Sequence, residues 1–216
     1  MGKSGFRIQK SNVEKILHAR DMDIIQSWGQ NDTGINRILI STLFSPKELI
    51  RWRAIEAIGL VARQLVQTNP EGVRQTLTRL FWMMNEESGN LCWHAPEAIG
   101  EILVNVPSLI DEYGLVLSSF VIEEPFERGT RLAIARAARL KKKPFVHVAG
   151  QIAETLNDDH PEMRAASILA LKSLGDLTFS GAIGSLMDDP AAVMIYNFVN
   201  GDLEKKTVGE LVRGRL

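Results

Sequence analysis

The sequence lacks several features that mark common protein classes. Cys92 is the single cysteine among 216 residues, which excludes an internal disulfide and a multi-cysteine zinc site. The apolar runs are shorter than the roughly 20 residues that a membrane-spanning helix needs, and the first ten residues, MGKSGFRIQK, lack a signal-peptide core. The formal net charge is -1, so no overall positive field attracts nucleic acid or anionic membranes. These absences predict a cytoplasmic globular protein without a membrane partner.

Motifs for phosphate binding and nucleophilic catalysis are also missing. The chain has neither a glycine-rich phosphate loop nor a GxSxG nucleophile motif. One local set, Cys92, His94 and Glu97, has helical spacing that suits a metal, but a metal site requires three or four converging ligands. We therefore expect no metal and no cofactor, and a binding protein rather than an enzyme.

Helical patterns are what the sequence has in abundance. Between Pro46 and Thr68 the apolar residues recur with the period of one helix face. Ser11 with Glu14 and Ser45 with Glu48 predict capping boxes, and the Asn-Pro pair at 69–70 predicts the end of one helix and the start of another. Prolines punctuate the rest of the chain at intervals that hold one helix and a short connection.

Four of these helical segments align with each other without gaps. Alanine occupies the seventh position in every copy, where a small residue lets neighbouring helices approach closely. The start-to-start spacings are 41, 39 and 33 residues, and this period predicts stacked helix pairs that form a helical solenoid. The four segments are RWRAIEAIGLV from Arg51, CWHAPEAIGEI from Cys92, RLAIARAARLK from Arg131 and RAASILALKSL from Arg164; the alanines are Ala57, Ala98, Ala137 and Ala170.

The segment DDHPEMRAASILALKSLG, from Asp158 to Gly175, resembles the short HEAT repeats first associated with phycobilisome lyases. It has their acidic turn, proline, and arginine opening an alanine-rich second helix. The resemblance covers about Ser45 to Gly175, and the second copy departs from it with Cys92 in place of the arginine. It implies an all-α fold, an α-α superhelix, and indicates very little about function.

The flanking segments are predicted to differ from the repeats. Residues 1–44 are expected to form two or three helices that cap the first repeat, and residues 45–176 the HEAT-like array. In residues 177–216, β-prone runs around Asn200 and Gly201 predict a small hairpin. Thr207 and Glu210 then predict a capping box that starts a short helix. This tail is expected to pack on the last repeat.

Two of the repeats share a tryptophan and a glutamate as well as the core pattern. WRAIEAIG, which begins at Trp52, and WHAPEAIG, which begins at Trp93, agree at six of eight positions. At about 100° per residue, Trp52, Glu56 and Arg63 lie on the helix side opposite the apolar stripe. In stacked helix pairs this side lines the concave groove.

The second copy and the later repeats extend this predicted groove. Trp93 and Glu97 are expected to occupy the places of the first pair on the adjacent helix. Arg136 and Arg139 follow within residues 128–143, which contain seven basic residues and no acidic ones. The groove is thus predicted to be aromatic and acidic at one end and basic in its third repeat, although the terminal segments could also fold over it.

Two functions fit these groove residues. The first is a non-enzymatic scaffold that binds a protein or peptide, because an aromatic face beside a carboxylate favours a cationic side chain. The second follows from a similarity to HEAT-like alkylpurine DNA glycosylases. That similarity implies that Trp93 stacks on a base, Glu97 stabilises developing positive charge and Arg136 holds a phosphate.

Overall fold

The computed structural model describes residues 10–31, 34–85 and 91–214, and these ranges are mostly helical with one small antiparallel sheet. Two strands and twelve α-helices follow each other along this part of the chain. The helices are α1 (Lys10–Ala19), α2 (Met22–Asn31), α3 (Gly34–Thr42), α4 (Glu48–Leu65), α5 (Pro70–Trp82), α6 (Ala95–Asn105), α7 (Ile110–Ser118), α8 (Glu127–Ala137), α9 (Ala149–Glu154), α10 (Pro161–Leu174), α11 (Ser180–Gly184) and α12 (Val208–Arg213). The strands are β1 (Ala192–Asn197) and β2 (Asp202–Thr207).

Helices α4, α6, α8 and α10 pack side by side in chain order. These are the four segments whose sequences align, and all four of the alanines at the seventh position are completely buried. Close approach is enforced at Gly100, where a Cβ atom would lie 2.6 Å from the Cβ of Ala133 in α8. The small-residue pattern therefore marks a contact between adjacent helices, as the alignment predicts.

Helices α5, α7 and α9 alternate with these four helices along the chain. The prediction at residues 69–70 is confirmed: α5 begins at Pro70, and the Asn69 side chain accepts a hydrogen bond from the Gly72 amide. The two predicted capping boxes before it are wrong. Ser11 lies inside α1, and α4 begins at Glu48 after Lys47, whose side chain makes no capping bond.

The segments that flank the row contact it from both ends. Helices α1, α2 and α3 pack on α4. At the other end, β1 pairs with β2 in antiparallel register from Ala192 opposite Thr207 to Asn197 opposite Asp202, which confirms the predicted hairpin. The capping box of Thr207 and Glu210 that starts α12 is also confirmed. Within the described residues, no helix is both long enough and apolar enough to cross a bilayer.

Candidate functional site

The hairpin reaches beyond the last repeat, on which the sequence predicted it to pack. β1 and α12 do contact α10, but the turn of the hairpin extends to α4 and to the α1–α2 connection. There Arg20 donates hydrogen bonds to the carbonyls of Phe198 and Val199, at 2.9 and 3.1 Å. Arg53 donates to the carbonyl of Gly201 and forms an ion pair with Asp202, both at 2.9 Å. The hairpin therefore covers the first repeat as well.

Trp52 lies under this hairpin turn and is half-buried. Its indole stacks on the Tyr196 ring, with centroids 5.5 Å apart and planes 6° from parallel. The Phe198 ring meets both of these rings edge-on, at 6.1 Å from Trp52 and 4.9 Å from Tyr196. Aromatic packing of this kind adds about 0.5–1.5 kcal/mol per pair to the burial of apolar area. The predicted groove tryptophan thus holds the hairpin.

Glu56 is also engaged by the hairpin and is largely buried. Its carboxylate accepts two hydrogen bonds from the Arg20 guanidinium, at 2.8 and 3.3 Å, and one from the Tyr196 hydroxyl at 2.5 Å. The bond to Glu56 raises the pKa of Arg20, and burial together with Glu56 raises the pKa of Tyr196. In the folded chain this carboxylate is a structural partner rather than a group open to a ligand.

The second tryptophan differs from the first, and the prediction that it lies on a helix is wrong. Helix α6 begins only at Ala95, because Pro96 replaces the equivalent Ile55 and favours a helix start over a helix interior. Trp93 therefore lies in the preceding turn, where 63% of its surface is exposed. Trp52 and Trp93 do not form a pair on adjacent helices.

Arg63 also lies apart from the other predicted groove residues. It is exposed near the C-terminal end of α4, and its guanidinium donates to the Gln26 side chain of α2 at 3.3 Å. Helix α2 packs on α4 and contacts this end of the predicted groove face through Gln26. The N-terminal helices and the C-terminal hairpin together cover the face of the first repeat.

A cleft of about 430 Å³ remains between the hairpin and the face formed by α8 and α10. This volume is within the range of sites that bind small ligands or a few residues of a peptide. Trp52, Glu97, Arg136 and Arg139, four of the seven predicted residues, line it. Its apolar surface comes from both walls, through Leu132, Leu169, Val193, Met194 and Phe198.

Three arginines give the α8 wall of this cleft its positive charge. Arg128 and Arg136 lie eight residues apart on α8, which places them on the same helix face, and Arg139 follows shortly after the helix ends. Arg136 donates to Glu101 at 2.6 Å, and its guanidinium lies 3.8 Å from the centroid of the Phe198 ring. Burial raises the pKa of Glu101, while the neighbouring Arg136 lowers it.

The other two arginines are available to a ligand. Neither the Arg128 nor the Arg139 side chain forms a hydrogen bond or an ion pair with any residue in the described ranges. Desolvation by the surrounding protein and repulsion by Arg136 lower the pKa of Arg139. An anionic group in the cleft would relieve this repulsion, so the α8 wall is suited to bind carboxylates or phosphates.

Acidic residues on the hairpin wall are largely engaged by other groups. Glu204 accepts hydrogen bonds from Asn197 and Asn200 and pairs with Lys206 at 3.2 Å. Glu210 accepts the Thr207 amide in the capping box of α12. These bonds lower the pKa of both carboxyl groups and keep them ionised, but they also direct the carboxylates toward the hairpin and helix.

Besides the exposed Glu162 at the start of α10, the cleft lining contains one more acidic residue, Glu97. Its side chain is 2% exposed, and one carboxylate oxygen lies 3.3 Å from Nδ1 of His94. The other oxygen, Oε2, is buried and has no hydrogen-bond partner in the described part of the chain. It lies beside Gly129, where a Cβ atom would come within 2.5 Å of it. A buried carboxylate oxygen in this state costs about 1–3 kcal/mol.

The local set Cys92, His94 and Glu97 does not form a metal centre. Cys92 is buried, and burial raises the pKa of its thiol to about 12, whereas a metal ligand must be a thiolate. Among the residues that the structure describes, no three His, Cys, Asp or Glu side chains converge as a metal site would require.

Sequence reasoning named Trp52 and Glu56 but missed their role in holding the hairpin, and it missed Arg20, Arg53 and one residue of the cleft. Arg20 and Glu56 are 36 positions apart, and Arg53 and Gly201 are 148 apart, so no local pattern signals either contact. Arg128 could have been found, since it shares the four-residue spacing of Leu132 and Arg136 on α8.

Comparison with known proteins identifies a relative of this chain. No family model matches the sequence. An uncharacterized protein from Archaeoglobus fulgidus is 31% identical over 143 residues, a match that covers 64% of this chain and 73% of the relative.

Proposed function

We propose that this chain, which belongs to the same family as the uncharacterized Archaeoglobus fulgidus protein, is a non-enzymatic, HEAT-like binding protein of the cytoplasm. The row formed by α4, α6, α8 and α10, with alternating helices between its members, supports the solenoid part of this proposal. The cleft between the hairpin and the α8–α10 face is the proposed binding site, and its occupant is a short acidic segment of a partner protein.

The two unpaired arginines carry this proposal. Arg128 and Arg139 are separated by about 16 Å along the helix direction, from a rise of about 1.5 Å per residue. An extended peptide advances about 3.3 Å per residue and its side chains alternate between two faces, so acidic side chains four positions apart share one face at a separation of about 13 Å, within reach of the two long arginine side chains. The apolar walls of the cleft would accommodate small aliphatic residues between them.

A fluorescence anisotropy titration tests the proposal with a labelled pentapeptide that has glutamate at both ends and leucine and alanine between them. Arg128→Gln and Arg139→Gln should each weaken binding about 10-fold or more, since a hydrogen bond to a charged group contributes about 1.5–3 kcal/mol. Arg79→Gln is the matched control, because Arg79 is exposed on α5 and lies outside the cleft. Equal binding by all four proteins, or no binding by the unaltered one, would reject the acidic-peptide site.

The glycosylase-like function remains the second candidate, because Glu97 and Arg136 line the same cleft. Two observations weigh against it. Trp93, the predicted stacking residue, is outside the cleft lining, and one face of Trp52 is stacked on Tyr196. The measurement that separates the functions is base release from alkylated duplex DNA by the unaltered protein. Release that Glu97→Gln abolishes would establish the enzyme, and we expect none above background.

A further inference from the structure

Strand β1 has one edge that the hairpin leaves unpaired. In the described chain the sheet consists of two strands, so β1 is paired on the side of β2 alone. The Val208 amide donates to the Ala191 carbonyl at 2.9 Å, and hydrogen-bonded pairs alternate with non-hydrogen-bonded pairs along an antiparallel ladder. In the register of this hairpin, the N–H and C=O groups of Ala192, Met194 and Tyr196 therefore point away from β2.

This free edge of β1 borders the cleft. All residues from 193 to 197 line the cleft, followed by two residues of the turn. Side chains alternate between the two faces of a strand, so a strand that turned one face to the cleft would contribute every second residue. A consecutive run indicates a strand presented edge-on. Within the described ranges, no group bonds to the backbone of Met194 or Tyr196 from the side opposite β2.

The two strands of the hairpin differ in how their outer edges are protected. β2 has the sequence DLEKKT, with four charged residues among six, whereas β1 has the sequence AVMIYN, with none. Charged side chains on an edge strand oppose its pairing with another chain. The edge of β1 is therefore the one suited to accept a third strand.

We propose that the acidic segment binds by β-strand addition, as a third strand along the free edge of β1. This inference rests on the proposed peptide-binding function and specifies the main-chain contacts that hold the peptide. The N–H and C=O groups of Met194 and Tyr196 bond to the peptide backbone. In the added strand, side chains one, three and five share a face, which is turned toward Arg128, Leu132 and Arg139.

Methylation of single peptide nitrogens tests these main-chain contacts without altering the protein. The reference is the labelled, amidated pentapeptide Glu-Ala-Leu-Ala-Glu, and four variants carry an N-methyl group at position 2, 3, 4 or 5. Successive N–H groups of a strand point to opposite sides. We expect methylation at one alternate pair, 2 and 4 or 3 and 5, to weaken binding about 10-fold or more at each position, and methylation at the other pair to weaken it less than about 2-fold.

Met194→Pro tests the same contact from the side of the protein. Proline has no N–H, and the Met194 N–H points away from β2, so the ladder of the hairpin keeps its bonds. Met194→Ala is the matched control, because it removes the same side chain and keeps the N–H. We expect Met194→Pro to bind the reference pentapeptide about 10-fold more weakly than Met194→Ala does. The methylated peptides keep the proposal testable even if Met194→Pro folds poorly.

The possible failures are distinguishable. If the four methylated peptides all bind like the reference, or all bind equally weakly, while Arg128→Gln weakens binding of the reference, strand addition is refuted and the acidic-peptide site stands. If the reference peptide does not bind the unaltered protein, the proposed function fails, and strand addition fails with it.

Discussion

The substitution Glu56→Gln tests how firmly the hairpin is held on the first repeat. Three donors converge on the Glu56 carboxylate, two from the Arg20 guanidinium and one from the Tyr196 hydroxyl. A glutamine offers one acceptor oxygen in place of two. Whichever way its amide is turned, its NH2 group faces an arginine N–H that cannot accept a hydrogen bond.

The expected loss of unfolding free energy follows from the exposure of the Arg20–Glu56 ion pair. Breaking a fully buried ion pair costs about 3–5 kcal/mol, because a charge is left without compensation. The Arg20 side chain is 25% exposed and Glu56 is 11% exposed, so water can replace part of the lost interaction. We therefore expect Glu56→Gln to lower the free energy of unfolding by about 2–3 kcal/mol.

Urea unfolding followed by far-UV circular dichroism measures this change. With an m-value of about 2.5 kcal/mol/M, the midpoint should fall by about 1 M. Glu154→Gln is the matched control, since Glu154 is exposed on α9 and forms no ion pair in the described ranges; its midpoint should not move.

Tyr196→Phe is a second variant to measure by urea unfolding. It removes one donor and keeps the ring stacked on Trp52, so we expect a loss of about 1–2 kcal/mol. The double variant with Glu56→Gln should lose less than the sum, because both changes act on one network. If Glu56→Gln and Tyr196→Phe each stay within about 0.5 kcal/mol of the unaltered protein, the hairpin is not fastened through this carboxylate.

Four further predictions concern Gly201, Gly100 and Cys92. Gly201→Ala should destabilise the fold by about 1–3 kcal/mol in urea unfolding, since Gly201 has φ of 72° and a Cβ would overlap the Arg20 guanidinium; an unchanged midpoint would contradict this. Gly100→Ala should cost a similar amount, because its Cβ would meet Ala133, and an unchanged thermal midpoint would show that α6 and α8 are not in close contact. Cys92, whose thiol pKa is raised to about 12 by burial, should resist iodoacetamide at pH 8 until urea unfolds the chain; rapid native labelling would contradict its burial. Because the unfolded thiol ionises near its ordinary pKa of 9.0 and the folded one does not, stability should fall as pH rises from about 9 to about 12.

Much of the fold could be predicted from the repeat pattern, because the pattern depends on residues that are close together in the sequence. An alanine at one helix position, or Pro70 after Asn69, acts on its own turn and on the nearest helix, and such effects can be recognised within a short window. The hairpin was predicted for the same reason: the left-handed φ of Gly201 is a property of the turn itself.

The predicted site was less accurate because its geometry depends on contacts between distant segments. Trp52 and Trp93 have matching sequence contexts, but Pro96 moves the start of α6, and the hairpin covers Trp52. The sequence does not indicate which of the predicted groove residues are already engaged by other segments of the chain. Arg128 and Arg139 stay accessible in the cleft because the hairpin approaches α8 without pairing with either side chain, as far as the described residues show.

The contact between the hairpin turn and α4 has a consequence for how the molecule unfolds. In a row of helices that pack mainly on their neighbours, an end can fray alone and unfolding can proceed in stages. Here the Gly201 carbonyl accepts a hydrogen bond from Arg53 of α4, 148 positions earlier, and the Phe198 carbonyl accepts one from Arg20 in the α1–α2 connection, so the hairpin is tied to the first part of the described chain. Fraying at either end would break this long-range closure, and its loss would expose the aromatic rings beneath the hairpin. The closure makes both ends contribute to a single cooperative unit, and it slows folding, since it can form only after the intervening helices have brought the two ends together.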